Sequence, residues 1–209
     1  VEKEGMPFCI RANRPVTPQM MAEILSSHYE GTRDCCAHFG PGLSPHDASS
    51  IRYICTGTTL ESDLFILRDD PKLTTVMSSF GRPCQLPYVA LHPLLAQPDA
   101  LDPIADASGR MESHLAPETG ASCWRNTPWW RMRAFETQAE LLFSDVSGGL
   151  RALMERMLAQ GLESDARLCE KLAVLLAEGD EAEARKTAEQ ADDRALHAAL
   201  HTLEDYACA

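Results

Sequence analysis

Residues 14–32 read Arg14-Pro-Val-Thr-Pro-Gln-Met-Met-Ala-Glu-Ile-Leu-Ser-Ser-His-Tyr-Glu-Gly-Thr32. Thr17 is a good helix N-cap, because its hydroxyl accepts a bond from an otherwise orphan backbone N–H. Pro18 follows at the first helical position, where a missing N–H costs nothing. Met20, Met21, Ile24, Leu25 and His28 recur at helical spacing, and Val16 is placed to staple onto Met21 across the cap. Gly31 is the expected stop. The pattern predicts a helix whose last turn carries His28, Tyr29 and Glu30.

Around that helix the chain alternates between strand patterns and turn chemistry. Pro7–Ala12 reads as a short strand before it. Residues 31–49 are rich in Gly, Pro, Ser, Asp and His and read as an irregular loop. A β block follows, with strands expected at Ser50–Cys55, Ser62–Arg68, Leu73–Ser79 and Pro87–His92, and with turn residues at Asp69-Asp-Pro-Lys72 and Gly81-Arg-Pro83. Two of these runs are almost continuous in apolar and β-branched residues, which suits strands covered on both faces. Four strands with helices on either side fit half of a layered α/β/β/α sandwich, and equally any α+β domain.

Residues 93–122 carry no periodicity and read as a long loop. Asn126-Thr-Pro128 opens a second helix, which Ser147-Gly-Gly149 kinks or ends, and Gly161 closes the helical segment that follows. From Leu162 the chain reads as a helical hairpin turning at Glu178-Gly-Asp180. Leu168, Leu172, Leu175 and Leu176 form one apolar stripe; Ala184, Ala188, Ala195, Ala199, Leu203 and Tyr206 form a weaker second one. The organisation expected is a sheet-containing region over 1–122 and a helical region over 123–209 packing on it.

The formal net charge is -12, which disfavours nucleic acid and anionic membrane surfaces as partners. No run of 18 apolar residues is present, and nothing resembles a signal peptide. A cytoplasmic protein is expected. Eight cysteines occur without a C-x-x-C pair, and they read as reduced thiols. The seven histidines are scattered. His197 and His201 have i, i+4 spacing but no acidic residue between them in zincin fashion, so no metal site is expected.

The helix and its His-Tyr-Glu-Gly-Thr ending resemble a segment of the dipeptidase A/secernin family of N-terminal-nucleophile hydrolases. Cys55-Thr-Gly-Thr-Thr59, Gly81-Arg-Pro-Cys-Gln-Leu-Pro-Tyr-Val89 and the aromatic-rich Trp129-Trp-Arg-Met-Arg-Ala-Phe135 extend the resemblance in the family's order over about the first 160 residues. The resemblance implies that the chain is the C-terminal portion of such a protein, a partial Ntn-hydrolase-like α/β/β/α sandwich with a C-terminal helical hairpin. The attacking N-terminal cysteine would then lie outside this chain, which begins with Val and is expected to be inactive alone. The implied reaction is hydrolysis of dipeptides or small amides without metal or organic cofactor. Its partners would be the N-terminal half of the same protein and a small peptide, with self-association through an uncovered sheet face giving a homo-oligomer. The alternative is a non-catalytic binding module diverged from that family, with its acidic hairpin meeting a partner.

Within this frame the substrate-binding candidates are His28, Tyr29, Glu30, Thr58 and Arg82. Glu30 is placed to hold a substrate amine; its structural alternative is to bond backbone N–H groups of the following loop. Thr58, in Thr56-Gly-Thr-Thr59, offers a hydroxyl to a ligand or simply lies in a turn. Arg82 suits a bidentate carboxylate clamp, or an ion pair within the protein. Cys9 sits in a strand-like run with its amine locked in a peptide bond, and reads as a structural thiol.

Overall fold

A computed structural model describes residues 14–30, 44–47, 53–96 and 128–208. The expected strand Pro7–Ala12, the stop at Gly31 and most of the loop over 93–122 lie outside these residues. Helix α1 spans Pro18–Leu25 and is capped as the sequence predicts, with the Met20 backbone N–H donating to Thr17 Oγ1 at 3.2 Å. It ends a turn earlier than expected. Ser26 is its C-cap, and its N–H and hydroxyl both return to Ala22 O. His28, Tyr29 and Glu30 therefore lie beyond the helix. The buried face also differs: Ala22 is buried, whereas Val16, Met21 and Ile24 are exposed.

The fold is α+β. Strands β1 (Ser62–Ile66), β2 (Thr75–Ser79) and β3 (Val89–Leu91) form an antiparallel sheet in the order β1-β2-β3. Met77 of β2 stands opposite Leu64 on one side and Ala90 on the other. Every residue of the central strand β2 is buried, as its continuous apolar run predicts, while β1 alternates. The strand expected at Ser50–Cys55 is not formed by its described residues 53–55. Instead the Cys55 N–H donates to Ser27 O at 3.3 Å, tying this stretch to the end of α1.

Three helices follow: α2 (Pro128–Leu141), α3 (Phe143–Ala177) and α4 (Glu181–Cys208). Gly148, Gly149 and Gly161 all lie inside α3, so none of them ends it. Gly161 lets the helix approach the sheet: a Cβ there would sit 3.5 Å from Met77 Cε and 3.9 Å from Tyr88 O. The turn after α3 is a Schellman motif, with Gly179 at φ 79°, its N–H donating to Leu176 O and the Asp180 N–H to Leu175 O. Asp180 then caps α4 by accepting the Glu183 N–H at 3.1 Å.

The largest core cluster joins Phe80, Leu86, Val89 and Leu91 to Met132 of α2, Leu150 and Leu153 of α3, and Leu196 and Leu203 of α4, with Trp129, Phe135 and Tyr206 packed against it. A second cluster closes the hairpin tip: Leu172, Ala184 and Ala188 pack on Leu73 and Leu95. No described helix is long and apolar enough to cross a membrane.

A buried ionic bracket locks the helices to the sheet. His92, just after β3, faces Asp192 of α4 through Nδ1 at 2.7 Å and Asp165 of α3 through Nε2 at 3.0 Å. Its backbone N–H also donates to Asp192 Oδ2 at 2.8 Å. Asp165 accepts from Thr75 Oγ1 at 2.7 Å and from Arg68 Nη2 at 2.6 Å. Burial opposes charge on His92, but the two carboxylates outweigh it and push its pKa up to about 11. Asp165 is held below its ordinary value, because His92, Thr75 and Arg68 outweigh its burial.

Linkage sets the sign of the resulting pH dependence. With a folded pKa near 11 against 6.5 for the free side chain, the His92 contribution is complete below pH 6.5 and is lost as pH rises through 11. Asp165 contributes above its ordinary 3.8 and loses that contribution as pH falls. His92→Gln should cost about 3–5 kcal/mol, the cost of leaving buried charges unpaired. It should also flatten the decline in stability between neutral and alkaline pH, as read by urea unfolding across that range. An unchanged pH slope in a folded variant would contradict the bracket.

Candidate functional site

The residues beyond α1 form a compact turn. Glu30 Oε2 accepts from the His28 N–H and the Ser27 hydroxyl, both at 3.0 Å, and Ser27 Oγ accepts the Tyr29 N–H at 3.0 Å. Tyr29 takes φ 59°, which turns the chain sharply. Glu30 is thus occupied by backbone, by Arg151 Nη2 and by His28 Nδ1 at 3.4 Å. These partners outweigh its burial and lower its pKa. Glu30 thus bonds the backbone of the turn before it, whereas the following loop, for which a backbone-bonding role was considered, lies outside the described residues.

The turn delivers the buried His28 ring into a cluster. His28 Nε2 lies 3.1 Å from His46 Nε2, and the ring stands edge-on to those of His46 and Tyr53. His46 is set in a short 3-10 turn, Pro45–Asp47. Its Nδ1 meets Glu140 of α2 at 2.8 Å and Ser44 Oγ at 3.1 Å. Two sulfurs complete the group. Cys55 Sγ is 3.8 Å and Cys84 Sγ 3.4 Å from His46 Nε2, and the sulfurs are 3.5 Å apart. Gly57 permits the loop after Cys55 to run against His46, whose carbonyl oxygen would lie 3.1 Å from a Cβ at that position. All four described cysteines are free thiols.

Two acids on α2 support this group. Glu136 is fully buried and accepts the Arg82 backbone N–H at 2.6 Å, Arg82 Nε at 3.0 Å and Arg133 Nη1. Glu140 takes His46, the Ser44 hydroxyl, Gln85 Nε2 at 2.6 Å and Arg82 Nη1 at 3.2 Å. Burial opposes its charge, but the His46 and Ser44 bonds prevail and bring its pKa down to about 2. Arg82 therefore pairs within the protein rather than standing open as a clamp. Its carbonyl receives the N–H groups of Gln85 and Leu86, closing the turn that presents Cys84. Thr58 is exposed in its own turn, with its N–H and hydroxyl both bonded to Thr56 Oγ1.

Electrostatically the two thiols share one charge. A bond from Cys84 lowers the Cys55 pKa to about 3 against the opposing effect of burial, with help from His28 and His46. Burial, the Cys55 bond and the Cys55 charge push Cys84 well above the usual thiol range. The order Cys55, His46, Glu140 follows nucleophile, base and orienting acid. Cys55, however, is 0% exposed and lines no described cavity, whereas the half-buried Cys84 is the sulfur that borders one.

Beside the cluster lies a cavity of about 290 Å³, walled by Ala22, Leu86, Tyr88, Met154 and Leu158, with His28 and Cys84 at one side and Glu23, Arg151 and Glu155 bringing both signs of charge. A larger cavity of about 590 Å³ runs between β3, α3 and α4 past the His92 bracket. His197 and His201 lie exposed on α4. His28, Tyr29, Arg82 and the 81–89 stretch are thus brought to one place, whereas Thr58 is left on its own turn. Cys55 and Cys84 come from stretches that carry the family resemblance but were not site candidates, and His46, Glu136 and Glu140 join them without a local signal. Their separations along the chain are too long for a ligand motif, and the two acids have only their i, i+4 spacing on an aromatic-rich helix.

No family model, curated protein or solved structure matches the chain.

Substitutions should separate supporting from solvent-facing groups. Glu136→Ala strips Arg133 and the Arg82 backbone N–H and Nε of their carboxylate, leaving Arg82 only Glu140, and should cost about 3–5 kcal/mol. Thr58→Ala should change stability by no more than about 0.5 kcal/mol. Parallel thermal unfolding of the two variants checks the contrast.

Proposed function

We propose that this chain is the C-terminal portion of a small-amide hydrolase resembling dipeptidase A and secernin, within an Ntn-hydrolase-like sandwich. The observation that carries the reading is the cavity beside the His28-Tyr29-Glu30 turn. Its size matches the lower end of small-ligand pockets. Its apolar walls and paired charges suit a dipeptide, which carries an amine and a carboxylate at opposite ends. In this reading Arg151 receives the carboxylate, Glu23 or Glu155 receives the amine, and His28 borders the amide. Exposed Phe65 and Leu67 at strand β1 agree with a sheet that a further part of the protein covers.

The nucleophile belongs to the N-terminal part of the parent protein. It attacks the amide carbon, the amine leaves with a proton, and water hydrolyses the thioester. The parent protein should cleave unmodified dipeptides, and Arg151→Ala should raise KM by roughly tenfold or more, the worth of a charge-assisted hydrogen bond. Steady-state kinetics on a dipeptide panel tests this. Cleavage by residues 1–209 alone, lost in Cys55→Ser, would move the nucleophile into the cluster and overturn the assignment. A parent protein that cleaves no dipeptide or small amide would favour the second reading. That reading is a binding module presenting the acidic α3–α4 hairpin, whose residues 162–209 carry a net charge of -7.

A further inference from the structure

We propose that His28, His46, Cys55 and Cys84 form a closed tetrahedral site for a zinc ion. The proposal is independent of the hydrolase reading. Its first support is geometric. Bonds of about 2.3 Å to sulfur and about 2.0–2.1 Å to nitrogen place tetrahedral ligand atoms roughly 3.3 Å (N to N), 3.5 Å (N to S) and 3.8 Å (S to S) apart. The cluster has 3.1 Å between its nitrogens, 3.4 and 3.8 Å from His46 Nε2 to the sulfurs, and 3.5 Å between the sulfurs. All four ligand atoms lie within 4.8 Å of one another. They converge on one centre from four separate stretches of chain.

The second support is the hydrogen bonding of the rings. His46 Nδ1 faces Glu140 and His28 Nδ1 faces Glu30. A carboxylate at Nδ1 holds the proton there and turns the Nε2 lone pair outward. Two Nε2 atoms 3.1 Å apart, each with a carboxylate at Nδ1, are bridged either by one proton or by a metal ion, and the two sulfurs beside them suit the metal. A carboxylate behind each metal-bound imidazole is the usual outer layer of a zinc site.

The third support is charge. Two thiolates and two neutral imidazoles around Zn²⁺ sum to zero, which a buried site tolerates far better than an unbalanced charge. Mixed nitrogen and sulfur donors in tetrahedral array select zinc over magnesium or calcium, which prefer oxygen. Four protein ligands leave no open position for water, so the ion is structural: it pins the turn after α1, the His46 turn, the Cys55 stretch and the Cys84 turn together. Both thiols lose their protons to solvent on binding, with no change of oxidation state.

The test uses the intact 209-residue chain without a histidine tag, purified after growth with added zinc. Atomic emission should find one zinc per chain, and removing it with a chelator should lower the melting temperature. Cobalt(II) added to the metal-free protein should give the thiolate-to-cobalt charge-transfer band of a two-sulfur tetrahedral site. That band should fall by about half in Cys84→Ser and vanish in the Cys55→Ser/Cys84→Ser double variant. If the variants fail to fold, wild-type protein decides: a mercurial should release its zinc as the thiols react. Folded wild-type protein with no bound zinc and no cobalt–thiolate band would overturn the site. Metal content of this chain is read without substrate, so zinc bound here leaves the site standing even where the parent protein cleaves no dipeptide, the result that refutes the hydrolase reading.

Discussion

The imidazole of His92 is the joint on which the molecule closes. The three short strands share an apolar core with the helices. The bracket supplies direction where the hydrophobic effect supplies only attraction. One ring reaches α3 through Asp165 and α4 through Asp192, and both acids are themselves bonded to the sheet side. Such a group costs several kcal/mol to desolvate and is retained only when each partner is satisfied. Here Thr75, Arg68 and the His92 backbone N–H satisfy them.

The same logic recurs at the other end of the sheet. Glu136 and Glu140 stand one helical turn apart on α2 and hold the turn after β2 through Arg82 and Gln85. Gly81 is required there, because a Cβ would fall 2.7 Å from both Glu136 Oε1 and Leu86 Cδ1. The His46 and Cys84 turns are thus positioned by carboxylates on a helix, the His28 turn by Glu30 and the Cys55 stretch by Ser27 O. That explains how so little regular structure around His46 and Cys55 brings four side chains to one point.

Much of the scaffold was legible in the residues. The Thr17-Pro18 cap, the central strand around Met77, the turn at Gly179 and the two stripes of the hairpin each follow from local rules, and each is where those rules put it. Glycine was the weak guide. Gly148, Gly149 and Gly161 read as breaks, yet lie in one continuous helix, because tertiary contacts outweigh a propensity cost of about 1 kcal/mol per residue. Of the cluster, His28 and the stretches containing Cys55 and Cys84 stood out, though neither cysteine was singled out for chemistry. His46, Cys55 and Glu140 are distant in sequence from one another, and nothing in linear spacing reports a meeting that the tertiary fold alone creates.

The position of α4 in the chain has a consequence for biosynthesis. Leu196, Leu200 and Leu203 of this last helix complete the core begun by Phe80, Leu86 and Val89, and Asp192 completes the His92 bracket. While the chain emerges from the ribosome, a neutralised imidazole must wait for a residue 100 positions downstream of His92 to appear, the separation of its last partner. The nascent sheet is therefore a surface that chaperones or neighbouring nascent chains can reach before its own helix does.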